Sequence, residues 1–403
     1  MIPHPVAERT YLASTTLFLL VAPFTSSAGW RAGTLVVAMA CAAFLAFRDP
    51  GRTPRPVPRA LFITLAAFCV LALASLAWSE RPAFTAGELR GQVLYGAFAF
   101  LAFYLGADTR YWRVWWRALL VATLVLFVAE GVREHFEPRF GLREWDGGGG
   151  AFSTHLTMVA PLLLPLAWNA HDGERPRTIL FVIATLALFT AAWATENRIV
   201  WLAILAAFAA AAIARRYARE VRPRFEGSRY FAVAGIALII LLAAFTTVLR
   251  SGALASGPAG AITAIEGDLR PRIWGVAVHE IEKAPLLGHG FGREIAAEAF
   301  QRTPRPANHP EILHAHNMFL DMAVQLGLAG LALFLAALGL LAREFVRALR
   351  VRETCAAGVL GLAVLAGFIT KNMTDDFLYR HNGLVFWALM GLLLGLSRPR
   401  KPS

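Results

Sequence analysis

Apolar runs of about twenty residues, each closed by arginine, proline or glycine, recur along the whole chain. They fall at about 10–27, 32–47, 58–77, 90–106, 111–131, 151–170, 177–195, 199–214, 230–249, 316–341, 353–372 and 383–397. As a helix, a run of that length crosses a hydrocarbon core of roughly 30 Å. The pattern predicts an all-α, polytopic membrane protein of about twelve transmembrane helices, with residues 1–403 forming one integral membrane domain. Two polar stretches break the rhythm. The first, "REHFEPRFGLREWDGGGG", precedes the sixth run, and Gly147 to Gly150 read as a flexible tether. The second covers about 250–315, between the ninth and tenth helices. Within it, "PRIWGVAVHEIEKAPLLGHGFGREIAAEAF" has helical periodicity on both sides of a Pro and Gly turn, which predicts an ordered cap over one face of the bundle. Gly288, Gly290 and Gly292 follow no strand, so they read as a turn and not a nucleotide loop.

Composition fits a bilayer protein. Hydrophobic residues make up 57% and charged residues 16%, with a mean hydropathy of +0.54. A formal charge of +12 could point to nucleic acid. Here the arginines occupy the short breaks between spans, so no nucleic acid partner is expected and the charge sets orientation instead. With both termini cytoplasmic, the inner segments hold Arg48, Arg52, Arg55 and Arg59, then the run from Arg215 to Arg229, then Arg343, Arg347, Arg350 and Arg352. The long loop and eight of the ten histidines then face the periplasm. Cys41, Cys69 and Cys355 lie inside apolar runs and read as small core residues, without a disulfide framework or a cysteine metal site. The first run follows "MIPHPVAERT" without a small-residue cleavage site, so no cleavable signal peptide is expected.

Ion-coupled transporters usually carry paired ionisable groups near midplane. The span interiors here hold few: Glu130 and Asp321 are the carboxylates deep within apolar runs, and the pattern offers no role for Asp321. Polar residues crowd the outer boundary instead. In "TENRIVWLA", Arg198 opens the eighth span after a tight turn. A cation at a helix N-terminus opposes the macrodipole while the free N–H groups favour an anion, and a bound anionic group would reconcile the two. In "DLRPRIW", Arg270 and Arg272 lead into a loop helix. In "ILHAHNMFLDMAVQLGLAG", His316 stands where loop becomes span. Continued at 100° per residue, that helix would put Ala323 and Gly327 each about 20° from His316 and Gly330 about 40° away, a small-residue face packed against other helices. His314 and Asn317 flank it, and Asp376 and Arg380 of "TDDFLYRHN" reach the same side. His309, Glu311, His314 and His316 could form a metal site, but their spacing matches no standard one, so neither metal nor cofactor is expected.

"HN", nine residues and then "GLAG" (His316, Asn317, Gly327, Gly330) resembles the signature of the bacterial O-antigen ligase family. "RIW" with "PLLGHGFG" behind it resembles a region those ligases share with the O-antigen polymerases, and the layout of spans around one long loop is similar throughout. The resemblance implies an inner-membrane glycosyltransferase that moves a glycan from undecaprenyl diphosphate to a sugar hydroxyl of lipid A–core. It carries the family's essential arginines and histidine onto Arg198, Arg272 and His316. Arg270, His314, Asn317, Asp376 and Arg380 are further substrate-binding candidates.

The residues suit that chemistry. There is no D-x-D pair to hold a divalent metal, and arginine forks can neutralise a diphosphate leaving group in its place. A neutral histidine can take the acceptor proton. With one base and no carboxylate nucleophile visible on the outer face, a single displacement with inversion is expected. A polymerase of the same superfamily is the second reading, though polymerases tend to have two substantial outer loops. A glycolipid flippase is the third, and would want a polar path through the bundle that the apolar spans do not offer.

Overall fold

The computed structural model describes residues 4–49, 55–136, 148–164, 175–195, 197–218, 268–305 and 311–398. Every described regular element is helical. In chain order they are α1 (His4–Val21), α2 (Ala28–Arg48), α3 (Arg59–Ala74), α4 (Pro82–Glu88), α5 (Tyr95–Leu105), α6 (Thr109–Phe136) and α7 (Gly148–Val159). Then follow α8 (Arg175–Ala194), α9 (Arg198–Tyr217), α10 (Arg270–Lys283), α11 (Ala297–Gln301), α12 (Met318–Ala348), α13 (Arg352–Lys371) and α14 (Arg380–Leu396).

Among the described residues, six helical stretches are long and apolar enough to cross a membrane: Thr25–Arg48, Arg59–Ala77, Thr109–Ala129, Arg198–Tyr217, Met318–Ala348 and Arg352–Lys371. Val36, Phe62, Val70, Val125, Leu186 and Ile213 are exposed on helix sides, which water would penalise and lipid does not. Shorter or composite helices lie at the other expected positions, except 165–170 and 230–249, which lie outside the described residues. The expected first span, 10–27, is a helix ending at Val21, and Thr25–Ser27 belongs to a 3-10 turn that runs into α2. The fourth, 90–106, starts with a π-helical turn, Leu89–Leu94, before α5.

The two largest apolar cores among the described residues lie within the bundle. The larger combines Phe18 and Leu35 with Phe103, Leu341, Phe345, Phe368, Phe386 and Leu389. The smaller joins α6 to α9 through Phe152, Leu156, Ala192 and Trp201. The long loop builds a third core of its own. Ile273 and Ala277 of α10, Phe300 of α11, and Ile312 and Ala315 close over Val324 of α12. The stretches 268–305 and 311–315 are therefore ordered and packed against α12, while 250–267 and 306–310 lie outside the described residues.

The helix that begins after His316 departs from its expected form. It is not one straight rod. Gly327 has φ 66° and ψ −170°, so the helical register breaks there. The glycine-rich turn fills the break: His289 N–H donates to Val324 O at 3.0 Å, Gly290 N–H to Gln325 O at 3.0 Å, and Leu328 N–H to Pro285 O at 2.8 Å. The side-chain oxygen of Gln325 also accepts Gly292 N–H at 2.9 Å. These bonds replace the intrahelical ones that the break removes. Only glycine fits this contact, because a Cβ on Gly327 would lie 2.2 Å from the Leu286 carbonyl carbon. The two glycine motifs are thus two halves of one joint. The predicted small-residue face running from His316 to Gly330 does not exist as such, since the phase on which it rested is interrupted.

Candidate active site

His316 is a loop residue. Its φ is +50°, in the left-handed region, and α12 starts only at Met318. Asn317 is the N-cap: its Oδ1 accepts Phe319 N–H at 3.0 Å and Leu320 N–H at 3.1 Å, while its Nδ2 donates to Met373 O at 2.9 Å. Met318 N–H donates to both Asn372 O and Asp375 O. The start of α12 is therefore clamped to the 372–377 turn. Asn317, expected to bind substrate, has its side chain committed to that clamp.

The clamp brings together residues far apart in sequence. His316 Nδ1 lies 3.2 Å from Asp375 Oδ1, across 59 positions. Burial alone would raise the Asp375 carboxyl, but the His316 hydrogen bond and the Lys371 charge outweigh it and hold the group well below the usual carboxylate range. An ionised carboxylate only accepts, so His316 Nδ1 is the donor in this bond, and Nε2 is the ring nitrogen left outside it. The ring is about one third exposed, open enough to meet a substrate.

His314 is packed behind it, with ring centroids 4.1 Å apart. Its Nδ1 lies 3.2 Å from Asp321 Oδ2 and 3.1 Å from the His316 backbone nitrogen. Asp321 Oδ1 accepts Ala315 N–H at 2.7 Å. That gives Asp321 the role the pattern left open: it anchors the histidine segment from inside. Burial, helped by the Arg293 charge, depresses His314 to about 3, so it stays neutral. Asp376 moves the other way, up to about 7, through burial and the nearby Asp321 charge.

The cations differ in what they reach. Arg270, at the start of α10, donates through Nε to Thr374 O at 3.2 Å and pairs with Asp268 at 3.0 Å. Arg198 opens α9 as expected, with a buried Nε that has no hydrogen-bond partner. Its charge acts on Asp268: burial opposes ionisation there, but Arg270 and then Arg198 hold the carboxyl below its usual value. Arg198, Asp268, Arg270 and the 372–377 turn thus form one charged arc. Arg272 is exposed on the same first turn of α10 and is not among the groups that hold the turn. Arg380 has φ +48° and lies 4.8 Å from the Tyr379 ring centroid.

Three contributors escaped the sequence reading besides Asp375. Arg293 follows the glycine turn, is buried, donates to Asp376 O at 2.8 Å and covers the Tyr379 ring at 3.9 Å. Lys371 is fully buried at the end of α13. Gly150 is the third. Gly148 to Gly150 are the first turn of α7 and not a tether, and a Cβ on Gly150 would lie 2.6 Å from the Phe377 ring and 3.3 Å from Asp375 Oδ2. The sequence signals were a lone lysine ending an apolar run and an arginine directly after a glycine turn.

Beside this cluster, an apolar cavity of about 220 Å³ runs between α3, α5, α12 and α14, lined by Phe62, Phe68, Phe100, Met322 and Trp387. Its polar lining comes from Gln92, Gln325, Asp376 and Arg380. A divalent cation is geometrically conceivable, because one ligating atom each of His314, His316 and Asp375 lies within 4.8 Å of the others. The fit is poor: Asp321 and the His316 N–H enclose Nδ1 of His314, and Arg293 adds positive charge beside it. Of the other two residues in the predicted spacing, Glu311 accepts from Gln301 at 3.2 Å, and His309 lies outside the described residues.

The fold and the cluster define a helical membrane protein with a histidine–carboxylate site, ringed by cations, where its docked loop meets the bundle. Residues 183–335 match the family model described as O-Antigen ligase (Wzy_C). The matched stretch includes Arg198, Arg270, Arg272, Arg293, His314, His316 and both halves of the glycine joint, and ends before Lys371 and Asp375. A comparison with curated proteins gives no match.

Proposed function

We propose that this protein is an O-antigen ligase that transfers a glycan from undecaprenyl diphosphate to a sugar hydroxyl of lipid A–core, at the periplasmic face of the inner membrane. The observation that carries the reading is the His316–Asp375 pair, with Nε2 outside that bond, beside an apolar cavity and an arc of arginines. In this reaction the acceptor hydroxyl gives its proton to Nε2 as its oxygen attacks the anomeric carbon. The bond from that carbon to the diphosphate oxygen breaks, and the lipid diphosphate leaves with the electron pair. A single displacement inverts the anomeric centre. Arg198 and Arg270 are assigned to the leaving charge, and Arg272, exposed on the same helix turn as Arg270, joins them only by swinging inward when substrate binds. Asp375 stabilises the imidazolium that forms, as an oriented carboxylate does in other histidine-based sites. The apolar cavity, with Asp376 and Arg380 in its lining, suits a lipid chain whose charged head stays at the rim.

The test is the lipopolysaccharide of a deletion strain. A ligase predicts loss of long-chain lipopolysaccharide with accumulation of long carrier-linked glycan. A core carrying one repeat unit would make the protein a polymerase instead, and an unchanged ladder would sink both readings.

A further inference from the structure

Lys371 ends α13 directly below the 372–377 turn. Its side chain is fully buried, its ammonium nitrogen has no hydrogen-bond partner, and the nearest aromatic ring is Phe377, 5.0 Å from nitrogen to centroid. An unpaired ammonium at such a place is costly, which makes an ionisable residue there a candidate for function and not for packing. Among 39 basic residues, only Lys283, Lys371 and Lys401 are lysines. The turn folds back over it: Asn372 Oδ1 accepts Phe377 N–H at 2.6 Å, and Asn372 Nδ2 donates to Phe368 O at 2.8 Å. Asp375 is thereby set close enough to feel the ammonium, although no ion pair joins them. Asp375, partly buried, and Asp376, buried, are adjacent, yet their carboxyls move in opposite directions. Asp375 alone has the His316 hydrogen bond and the Lys371 charge.

We propose that Lys371 is a positioning residue: its ammonium keeps Asp375 an acceptor for His316 Nδ1–H and so leaves Nε2 as the basic edge of the ring. This rests on His316 being the base of the proposed transfer. Lys371 touches no reacting atom and acts through Asp375. The other charged groups facing the pair are His314 and Asp321 behind it, Arg293 from the docked loop, Asp376 from the same turn and Arg270 from α10. Without the ammonium, the His316–Asp375 pair binds a proton more tightly, so the active protonation state is reached only at higher pH.

The experiment uses the purified full chain with Lys371→Gln, which keeps length and removes charge, and Lys371→Met in parallel. The expected result is an acid limb of kcat moved upward by about one pH unit, hence about tenfold lower kcat on the acid side. KM for the lipid donor stays unchanged and the rate is regained at alkaline pH. In an Asp375→Asn background, adding Lys371→Gln should move the limb no further. Nitrogen-15 shifts of histidine-labelled protein read the His316 tautomer without any assay of transfer, and should pass from Nδ1–H in the wild type to a mixture in the variants. An unchanged tautomer, equal loss at every pH with a lowered melting temperature, or failure of both variants to fold would make Lys371 structural and overturn the proposal. A wild-type chain without transfer activity but with the predicted tautomer change would separate failure of the ligase reading from failure of this one.

Discussion

The two ends of α12 both bury a carboxylate, and they treat it differently. At the far end, Glu344 accepts from Arg347 at 2.6 Å, Arg398 at 3.0 Å and Arg343 at 3.4 Å, on regular helical backbone. At the near end, carboxylates, imidazoles and cations are interleaved around Asp321 and Asp375, and the ammonium of Lys371 is left without a partner, as are the Nε of Arg198 and of Arg293, whereas at the far end the Nε of Arg398 is left so but its Nη1 is paired with Glu344. Among the described residues, the non-glycine ones with left-handed backbone, His316 and Arg380, both belong to this end. A charge surrounded by opposite charge on relaxed backbone latches helices together. A wholly unpaired ammonium and local strain are kept where the surroundings have work to do.

The sharpest way to break this contrast is His316→Ala. It should leave folding and lipid binding intact and lower transfer by about 10²–10⁴-fold, as loss of a general base does. Thermal melting and turnover of the same preparation check it; a stable variant with normal turnover would sink the mechanism. Next in size come the arginines. Arg198→Lys and Arg270→Lys keep charge and lose the planar fork, so transfer should fall by at least about tenfold in each. Arg272→Lys tests the residue that the resemblance singles out: a loss as large as at Arg270 would show that the exposed guanidinium swings inward when substrate binds.

Gly327→Leu should act on both stability and activity. Left-handed backbone and the Leu286 contact together should cost about 3 kcal/mol or more, seen as a lowered melting temperature, with turnover falling in step. Glu344→Gln provides the opposite control. It should cost about 1–3 kcal/mol of stability while leaving turnover per folded molecule unchanged; lost turnover at full stability would erase the distinction between the two ends. The smallest expected effect is none: excess EDTA should leave the transfer rate of purified enzyme as it was. A rate lost to chelator and restored by zinc or magnesium would turn His314, His316 and Asp375 into a metal site.

Periodicity made the membrane class and most helix positions legible, because a run of twenty apolar residues has few other uses. It also placed the arginine at the start of α9 and the histidines before α12. What it missed is tertiary. The partnership of His316 with Asp375 spans 59 positions, and no local pattern encodes it. The break at Gly327 was hidden because glycine inside an apolar helix reads equally as a packing face or as a joint, and only the arriving loop decides between them. Gly148 to Gly150 were misread for a related reason: small residues that permit close approach look the same as small residues that permit motion. Asn317 was assigned to substrate because it neighbours His316, while its position before Met318 is an N-cap.

The joint at Gly327 has a mechanical consequence. A continuous rod 31 residues long would pass every tilt of its membrane-spanning part to its tip. Here the tip is moored sideways, to the 284–292 turn and the 372–377 turn, while the shaft below Gly327 is gripped by α3 and α13. Bilayers of different thickness make helices lean by different angles. A pivot between shaft and tip lets the shaft lean while the aim of His316 stays fixed.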